Sequence, residues 1–310
     1  MPDSTINFNE VQKSIIRVIL YFDIFSHPLD ENEIIELSVT RAIRSEITKE
    51  LAELRNKKIL KYDNGYYFLN GSDLVVNKRI ENQNRSVKYM KIARWISTII
   101  NYHPYVRGIF ISGSLSKSAL ASRDDIDFFI ITQPGRLWIC RSFLMIFKKV
   151  VFLNYKKFFC INYYISSDNL EIPDKNIFTA TELAFMKPLK NFDVYNRFMA
   201  ANYWIRDYFP NKSLMIDHVS GKREPLLKKI LEMCLYGKLG DKLDNYLLLM
   251  YRKRWQNKFK AMDQASFELN FRSEKTVSKH HPRGYQDIIL SGYERKITEF
   301  EQKYHTGLSL

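Results

Sequence analysis

The chain has 310 residues, of which 45% are hydrophobic and 26% are charged, and its formal net charge at pH 7 is +14. This composition excludes a disordered or fibrous protein, and the length is sufficient for two or three domains. The excess of positive charge indicates a polyanionic partner such as nucleic acid, nucleotide phosphates or an anionic membrane surface, although a lysine-rich genome produces the same excess.

Cysteine usage and the N-terminal segment indicate a cytoplasmic protein. Cys140, Cys160 and Cys234 lie in apolar contexts without the spacing of a metal site, so we expect reduced core residues. The N-terminal stretch MPDSTINFNEVQ lacks the basic start and the apolar centre of a signal peptide. The most apolar segment, LWICRSFLMIFKKVVFL, is interrupted by three basic residues, so we predict a core helix there and no membrane partner.

Residues 1–72 predict a winged-helix domain, which consists of three helices and a hairpin. Apolar residues recur at helical spacing over 10–25, and the stretch DENEIIELS predicts a second helix. A third helix is predicted to open with Thr40 as its N-cap and to place Ile43 on its apolar face. The Asn-Gly pair at 64–65 lies between alternating apolar residues and predicts a tight hairpin turn.

Two basic surfaces are candidate contacts for nucleic acid. The third helix of the predicted winged helix carries bases among three glutamates, so it is predicted either to bind DNA or to serve as a protein–protein or interdomain module. These bases are Arg41, Arg44, Lys49, Arg55 and Lys57. The stretch YRKRWQNKFK, in a basic C-terminal helix, interleaves bases with aromatic residues as single-strand binders do, and an ordinary helix surface with a Trp anchor shows the same pattern.

Residues 73–190 predict a compact α/β unit, and residues 191–310 predict a helical domain. The unit begins with a long amphipathic helix over 73–102, followed by two strands that flank a serine-rich loop. An apolar helix that starts at Arg136 and a strand over 157–166 complete the unit. The predicted fold class is therefore α/β, in the α+β sense, with a mixed sheet between the winged helix and the helical domain.

The stretch ISGSLSKSALASRDDIDFFII carries the candidate chemistry. Gly113 lets the backbone pass close to a phosphate, and the Ser114 hydroxyl and nearby amides are suited to donate to its oxygens. Asp125 and Asp127 are two residues apart, so in a strand they project from the same face. Carboxylate pairs of this kind bind hard cations such as Mg²⁺, although the two acids are also compatible with an ordinary loop and strand start.

The order of these residues resembles the signature of the DNA polymerase β-like nucleotidyltransferase superfamily. An apolar residue precedes Gly-Ser, ten residues follow, and an acidic-apolar-acidic-apolar run begins the next strand. The resemblance implies a core that transfers a nucleoside monophosphate from an NTP to an unidentified hydroxyl or phosphate acceptor, with Mg²⁺ as cofactor. It implies that Asp125 and Asp127 bind the metal and catalyse the transfer. The predicted nucleotide-binding residues are Gly113, Ser114, Ser116, Lys117 and Asn162.

The third carboxylate of this superfamily is missing from its usual strand. The corresponding strand, FFCINYYIS, has Asn162 as its central polar residue, which offers a carbonyl oxygen to a cation but does not take a proton. We predict Glu182 as the third catalytic residue, with Asp168, Glu171 or a transfer without a protein base as alternatives. The departure also favours a second hypothesis, a catalytically degenerate nucleotide-sensing or DNA-binding winged-helix regulator.

Overall fold

The computed structural model describes residues 7–69, 74–151, 153, 157–216, 226–282 and 284–309. Within these ranges the helices are α1 (Glu10–Asp23), α2 (Glu31–Leu37), α3 (Arg44–Asn56), α4 (Leu74–Asn101), α5 (Gly113–Ser116), α6 (Leu137–Val151), α7 (Ile177–Ala184), α8 (Phe192–Ala201), α9 (Ile205–Tyr208), α10 (Leu226–Cys234), α11 (Lys238–Lys258), α12 (Gln264–Asn270) and α13 (Tyr285–Tyr304). The strands are β1 (Leu29–Asp30), β2 (Lys61–Asp63), β3 (Tyr66–Phe68), β4 (Val106–Ser112), β5 (Asp127–Thr132), β6 (Cys160–Ser166), β7 (Lys187–Lys190) and β8 (Val277–Lys279). The domain boundary predicted at residue 72 lies outside the described residues.

The N-terminal unit contains three helices and a three-stranded antiparallel sheet of order β1-β3-β2. The predicted hairpin is confirmed, because Asn64 and Gly65 join β2 to β3 with φ angles of +47° and +87°. The predicted start of α3 is wrong: its N-cap is Ile43, which is 72% exposed, and not Thr40. The Ser14 hydroxyl of α1 accepts from the Val39 amide at 2.8 Å and from the Thr40 amide at 3.3 Å, so these residues are held against α1 and the helix begins later.

The second sheet has five strands in the order β7-β4-β5-β6-β8. The β5 and β6 strands are parallel and the other neighbouring pairs are antiparallel, so the sheet is mixed and the α/β class is confirmed. The edge strands β7 and β8 were not predicted from the sequence. The predicted all-helical character of 191–310 is therefore wrong at β8, which pairs with β6.

Helices cover both faces of this sheet, and alternation along the strands separates two cores. Phe110 and Phe129 face a core that includes side chains of α1, α7, α8 and α13. Phe128 and Ile130 face the opposite core, which includes side chains of α4, α6 and α11. The apolar segment noted in the sequence forms α6, whose Trp138 is completely buried. Within the described ranges, no helix has the length and apolar character needed to cross a membrane.

The C-terminal end of β4 and the N-terminal ends of β5 and β6 lie together at one end of the five-stranded sheet. Ser112, the last residue of β4, lies opposite Asp127, the first residue of β5. Asp127 in turn lies opposite Cys160, the first residue of β6. Asn162 is the additional residue of a β-bulge, because Phe128 and Phe129 pair with residues 161 and 163. The His280 amide beyond β8 donates to the Asn162 carbonyl oxygen at 2.9 Å, so the C-terminal part of the chain reaches the same end of the sheet.

Asn202, which is completely buried, holds the connection from β6 to α7. Its Nδ2 donates at 2.8 Å to the carbonyl oxygens of Leu170 and Phe198, and its Oδ1 accepts from the Ile172 amide at 2.8 Å. We expect Asn202→Asp to lower the free energy of unfolding by about 3 kcal/mol. The substitution replaces the Nδ2 donor by a carboxylate oxygen, which would face the carbonyl oxygens of Leu170 and Phe198 and would have no proton to donate to them. Urea unfolding measures the change.

The matched control is Asn245→Asp, which adds the same charge at an exposed position of α11 and should change the free energy of unfolding by less than about 0.5 kcal/mol. Equal effects of the two substitutions would contradict the assignment of Asn202 as the residue that holds this connection.

Candidate functional site

A cleft of about 860 Å³ lies at the end of the five-stranded sheet where β4 ends and β5 and β6 begin. This volume is within the range of small-molecule sites, roughly 300–1,000 Å³. The predicted residues that line the cleft are Gly113, Ser114, Asp125, Asp127, Asn162 and Glu182. Two predicted residues, Ser116 and Lys117, do not line it.

Gly113 lies where only glycine fits. Its φ is +67°, in the left-handed region that side chains disfavour. A Cβ atom at this position would lie 2.6 Å from Oδ2 of Asp127. The strand register that places Asp127 opposite Ser112 therefore requires a residue without a side chain at the following position.

Asp127 is a carboxylate that meets no compensating cation among the described residues. Burial raises its pKa to about 7, and the charges of Asp125, Glu182 and Asp124 contribute to the rise. Asn162 Nδ2 donates to Oδ1 of Asp127 at 3.0 Å. Among the described residues, none forms an ion pair with this carboxylate, so near neutral pH a proton or an external cation must offset its charge.

The predicted start of this strand at Asp125 is wrong, because β5 begins at Asp127 and Asp125 lies just before it. The Ile126 amide donates to the Lys157 carbonyl oxygen at 2.9 Å, which continues the strand pairing to this point. Ile126 is completely buried in the core that contains Phe128 and Ile130. Its two neighbours Asp125 and Asp127 therefore point away from this core, and both line the cleft. In the part of the chain that the structure describes, no group donates a hydrogen bond to the Asp125 carboxylate.

Glu182 is the one of the three proposed extra carboxylates that lines the cleft. Its Oε2 accepts from the Gly113 amide at 3.3 Å, and its Oε1 lies 2.7 Å from Lys117 Nζ. Asp168 accepts from the Ser166 hydroxyl in the turn after β6, and Glu171 pairs with a lysine on the surface. The structure thus brings Glu182, but neither alternative, to the two aspartates.

Ser116 and Lys117 hold the turn that follows β4. Ser116 is completely buried, and its hydroxyl donates to the Gly113 carbonyl oxygen at 2.8 Å. Lys117 Nζ donates to the same oxygen at 3.3 Å in addition to its ion pair with Glu182. Both side chains therefore bind their own turn, and Lys117 also binds Glu182. Ser114, which is half-buried, is the residue of the three that lines the cleft.

A basic side of the cleft consists of residues that were not among the predicted site residues. Its members come from α6, from α11 and from the residues around β8. They are Arg141, Lys148, Arg254, Lys258, Lys279 and His280. Two signals pointed to them without placing them, namely the arginine inside the apolar stretch of α6 and the stretch YRKRWQNKFK. Burial, followed by the charge of Arg141, lowers the pKa of His280 to about 3, so this imidazole is neutral at pH 7.

Comparisons with known proteins do not classify the chain. No protein-family model, no curated protein and no solved structure matches it.

Across the described ranges, no three His, Cys, Asp or Glu side chains are grouped so that they alone could hold a metal ion.

Gly113→Ala tests the close approach between the turn and Asp127. Its control is Gly135→Ala, because Gly135 has a nearly equal φ of +65° but no atom within 4 Å of the added Cβ. We expect Gly135→Ala to cost about 1–2 kcal/mol from backbone strain alone. Gly113→Ala should cost about 1–3 kcal/mol more, because Asp127 must also move. Urea unfolding compares the two, and equal losses would mean that the contact with Asp127 is unimportant.

Asp127→Asn tests the raised pKa of the buried carboxylate. Because the pKa is higher in the folded than in the unfolded protein, ionisation of Asp127 destabilises the fold increasingly as the pH rises from about 4 to about 7. We therefore expect Asp127→Asn to raise the free energy of unfolding by about 2–4 kcal/mol at pH 8 and to change it little at pH 4. The measurement is urea unfolding in the presence of a chelator.

Asp207→Asn, at an exposed position, is the control and should show no such dependence on pH. If Asp127→Asn has the same effect at pH 4 and pH 8, the carboxylate does not carry a raised pKa.

Proposed function

We propose that the chain is a Mg²⁺-dependent nucleotidyltransferase that moves a nucleoside monophosphate from an NTP to a hydroxyl or phosphate acceptor. The observation that carries the proposal is the desolvated carboxylate of Asp127, which lies beside Asp125 and against Gly113 in one cleft. Perturbed carboxylates that converge in a cleft are typical of functional sites. A residue with only a structural role would not be expected to be a carboxylate here, because burial disfavours its ionised form.

The fold around the cleft supports the same proposal. The Gly-Ser turn follows one strand of a mixed sheet, Asp127 begins the neighbouring strand with Asp125 just before it, and a helix leads to a parallel third strand. This is the arrangement that a polymerase β-like core requires of the motif. We propose a winged-helix domain for the N-terminal unit, because its elements follow the order helix, strand, helix, helix and hairpin.

The residues of the cleft are suited to Mg²⁺. Protein sites hold this ion with one or two carboxylates together with substrate phosphates and water, so Asp125 and Asp127 suffice without a third protein ligand. The unpaired charge of Asp127 is the feature that a cation would compensate. When bound, Mg²⁺ would neutralise negative charge on the phosphate oxygens.

The remaining residues would bind the nucleotide and move a proton. The Ser114 hydroxyl and the amides of the turn would donate to phosphate oxygens. Glu182 would take the proton of the acceptor hydroxyl, since of the three candidates Asp168, Glu171 and Glu182 it is the one that lines the cleft with the two aspartates. Its contacts with Gly113 and Lys117 orient it toward the turn.

A regulator that binds a nucleotide without transferring it is the second candidate. Two observations favour it: Asn162 stands where the superfamily has a carboxylate, and Lys117 already pairs with Glu182 at 2.7 Å. In that case the N-terminal unit would report nucleotide binding to DNA or to another protein through its exposed bases. The two candidates share the nucleotide site and differ in whether Glu182 acts as a base.

The experiment is a thermal-shift titration with each of the four NTPs, with and without Mg²⁺, on the wild type and on Asp125→Asn/Asp127→Asn. We expect one or more NTPs to stabilise the wild type only with Mg²⁺, by about 2.7 kcal/mol at a hundredfold excess over Kd, and not to stabilise the double variant. If no NTP stabilises the wild type, both candidate functions are wrong.

Glu182→Gln separates the two candidates. Transfer of label from an α-³²P NTP to candidate acceptors should be lost in Glu182→Gln while Mg²⁺-dependent NTP binding is retained, if the chain is an enzyme with this base. Transfer that persists unchanged in Glu182→Gln would remove this residue from catalysis. NTP binding without any transfer by the wild type across RNA, protein and small-molecule acceptors would favour the regulator.

A further inference from the structure

Arg141 of α6 is a buried cation for which the described residues supply no hydrogen-bond acceptor at Nε or Nη1. Its side chain lines the cleft, and the residue is 3% exposed. Its Nε and Nη1 atoms are both buried, and no described group accepts a hydrogen bond from them. A guanidinium in this state has lost water without a replacement, and burial accordingly lowers the pKa of Arg141 below its usual value.

The other buried arginines of the described chain show what is missing. Arg79 pairs with Glu33 at 2.7 Å, and Arg136 pairs with Asp241 at 2.6 Å. Each also donates to backbone carbonyl oxygens. In the described residues Arg141 has neither a carboxylate nor a carbonyl partner, so its environment differs in kind from that of a structural arginine.

Aromatic rings hold the guanidinium in place. Its central carbon lies 4.9 Å from the ring centre of Tyr164, 5.5 Å from that of Tyr251 and 4.9 Å from that of Trp255. Cation–π contacts of this kind fix the group but engage the charge and not the N–H donors. The guanidinium is therefore held in position while its Nε and Nη1 atoms have no acceptor among the described residues, which suits a group that binds an anion.

Further positive charge lies on the solvent side of this arginine. Arg254 and Lys258 of α11 are exposed, line the same cleft and are one helical turn apart. His280 also lines it and is neutral at pH 7, because its pKa is about 3. The group thus offers one buried planar donor and two exposed cations in the same cleft, a combination that suits phosphate or carboxylate oxygens.

We propose that Arg141, Arg254 and Lys258 form an oxyanion-binding site in the cleft, separate from the carboxylates Asp125 and Asp127. The ligand group is a phosphate or a carboxylate, held by the donors of Arg141 and by the two cations of α11. The site does not depend on the transfer reaction, because it uses neither the aspartates nor Glu182. Its anion comes either from the triphosphate or from an acidic acceptor.

The test measures binding of inorganic pyrophosphate without Mg²⁺ by isothermal titration calorimetry. We expect the wild type to bind and Arg141→Met to bind at least about tenfold more weakly, because a charge-assisted donor is lost. The stability of the free protein should change little in Arg141→Met, because the lost cation–π contacts are offset by the removal of a buried charge that has no ionic partner among the described residues. Arg252→Met, which removes an exposed charge of α11 outside the cleft, should bind like the wild type.

The opposite results overturn the proposal. These are a wild type that does not bind pyrophosphate, equal binding by Arg141→Met and the wild type, or an Arg252→Met variant as weak as Arg141→Met. If Arg141→Met does not fold, Arg141 is structural, and the exposed pair is tested by Arg254→Gln/Lys258→Gln. That variant should weaken pyrophosphate binding severalfold, and unchanged binding would exclude the site.

Binding of NTP with Mg²⁺ then distinguishes the source of the anion. If Arg141→Met loses NTP binding together with pyrophosphate binding, the site holds the triphosphate. If Arg141→Met keeps NTP binding but loses pyrophosphate binding, the site serves an acidic acceptor. Both results support the oxyanion site. Failure of all NTPs to bind the wild type, with pyrophosphate binding intact, would contradict the proposed transferase and leave the oxyanion site standing.

Discussion

The close approach of Gly113 to the Asp127 carboxylate is the constraint around which this end of the molecule is built. The pairing of β4 with β5 sets it, because Ser112 lies opposite Asp127 and the next residue must turn away without a side chain. The Gly113 amide of this turn donates to the Glu182 carboxylate. Negative charge is thereby concentrated where burial already penalises it, and the pKa of Asp127 rises to about 7. Folds keep such costs where function requires them.

The same turn is tied to the N-terminal unit through one buried arginine. Arg79 of α4 pairs with Glu33 of α2 at 2.7 Å and donates to the Ser118 carbonyl oxygen at 3.1 Å. Ser118 itself has a positive φ of +55°, so its carbonyl direction is set by an uncommon backbone conformation. A displacement of α2 would therefore change the setting of the turn that carries Lys117 and orients Glu182. Arg79 therefore connects the N-terminal unit to the segment that follows the Gly-Ser turn.

The sequence predicted those features that arise from local pattern. The Asn-Gly hairpin, the apolar α6 and the two aspartates beside the Gly-Ser turn were all recognised from spacing within short windows. The strands β7 and β8 were missed because four and three residues are too few to show alternation. The basic side of the cleft was missed because Arg141 and Arg254 meet only through the packing of α6 on α11. Pairing across about a hundred residues has no periodic signature.

The cleft is lined both by carboxylates and by basic residues, and this combination links the binding of a cation to that of an anion. A phosphate that approached Asp125 and Asp127 alone would be repelled, whereas a cation held there would attract it. On the other side, an anion held by Arg141 would offset the charge that this guanidinium carries without a partner. Coupling between bound ligands is reciprocal, so whatever an anion gains from the cation, the cation gains from the anion. Part of the net charge of +14 therefore comes from basic residues that share a cleft with Asp125 and Asp127. A ligand that carries phosphate oxygens and a divalent cation together satisfies both sides at once, and neither component satisfies them alone.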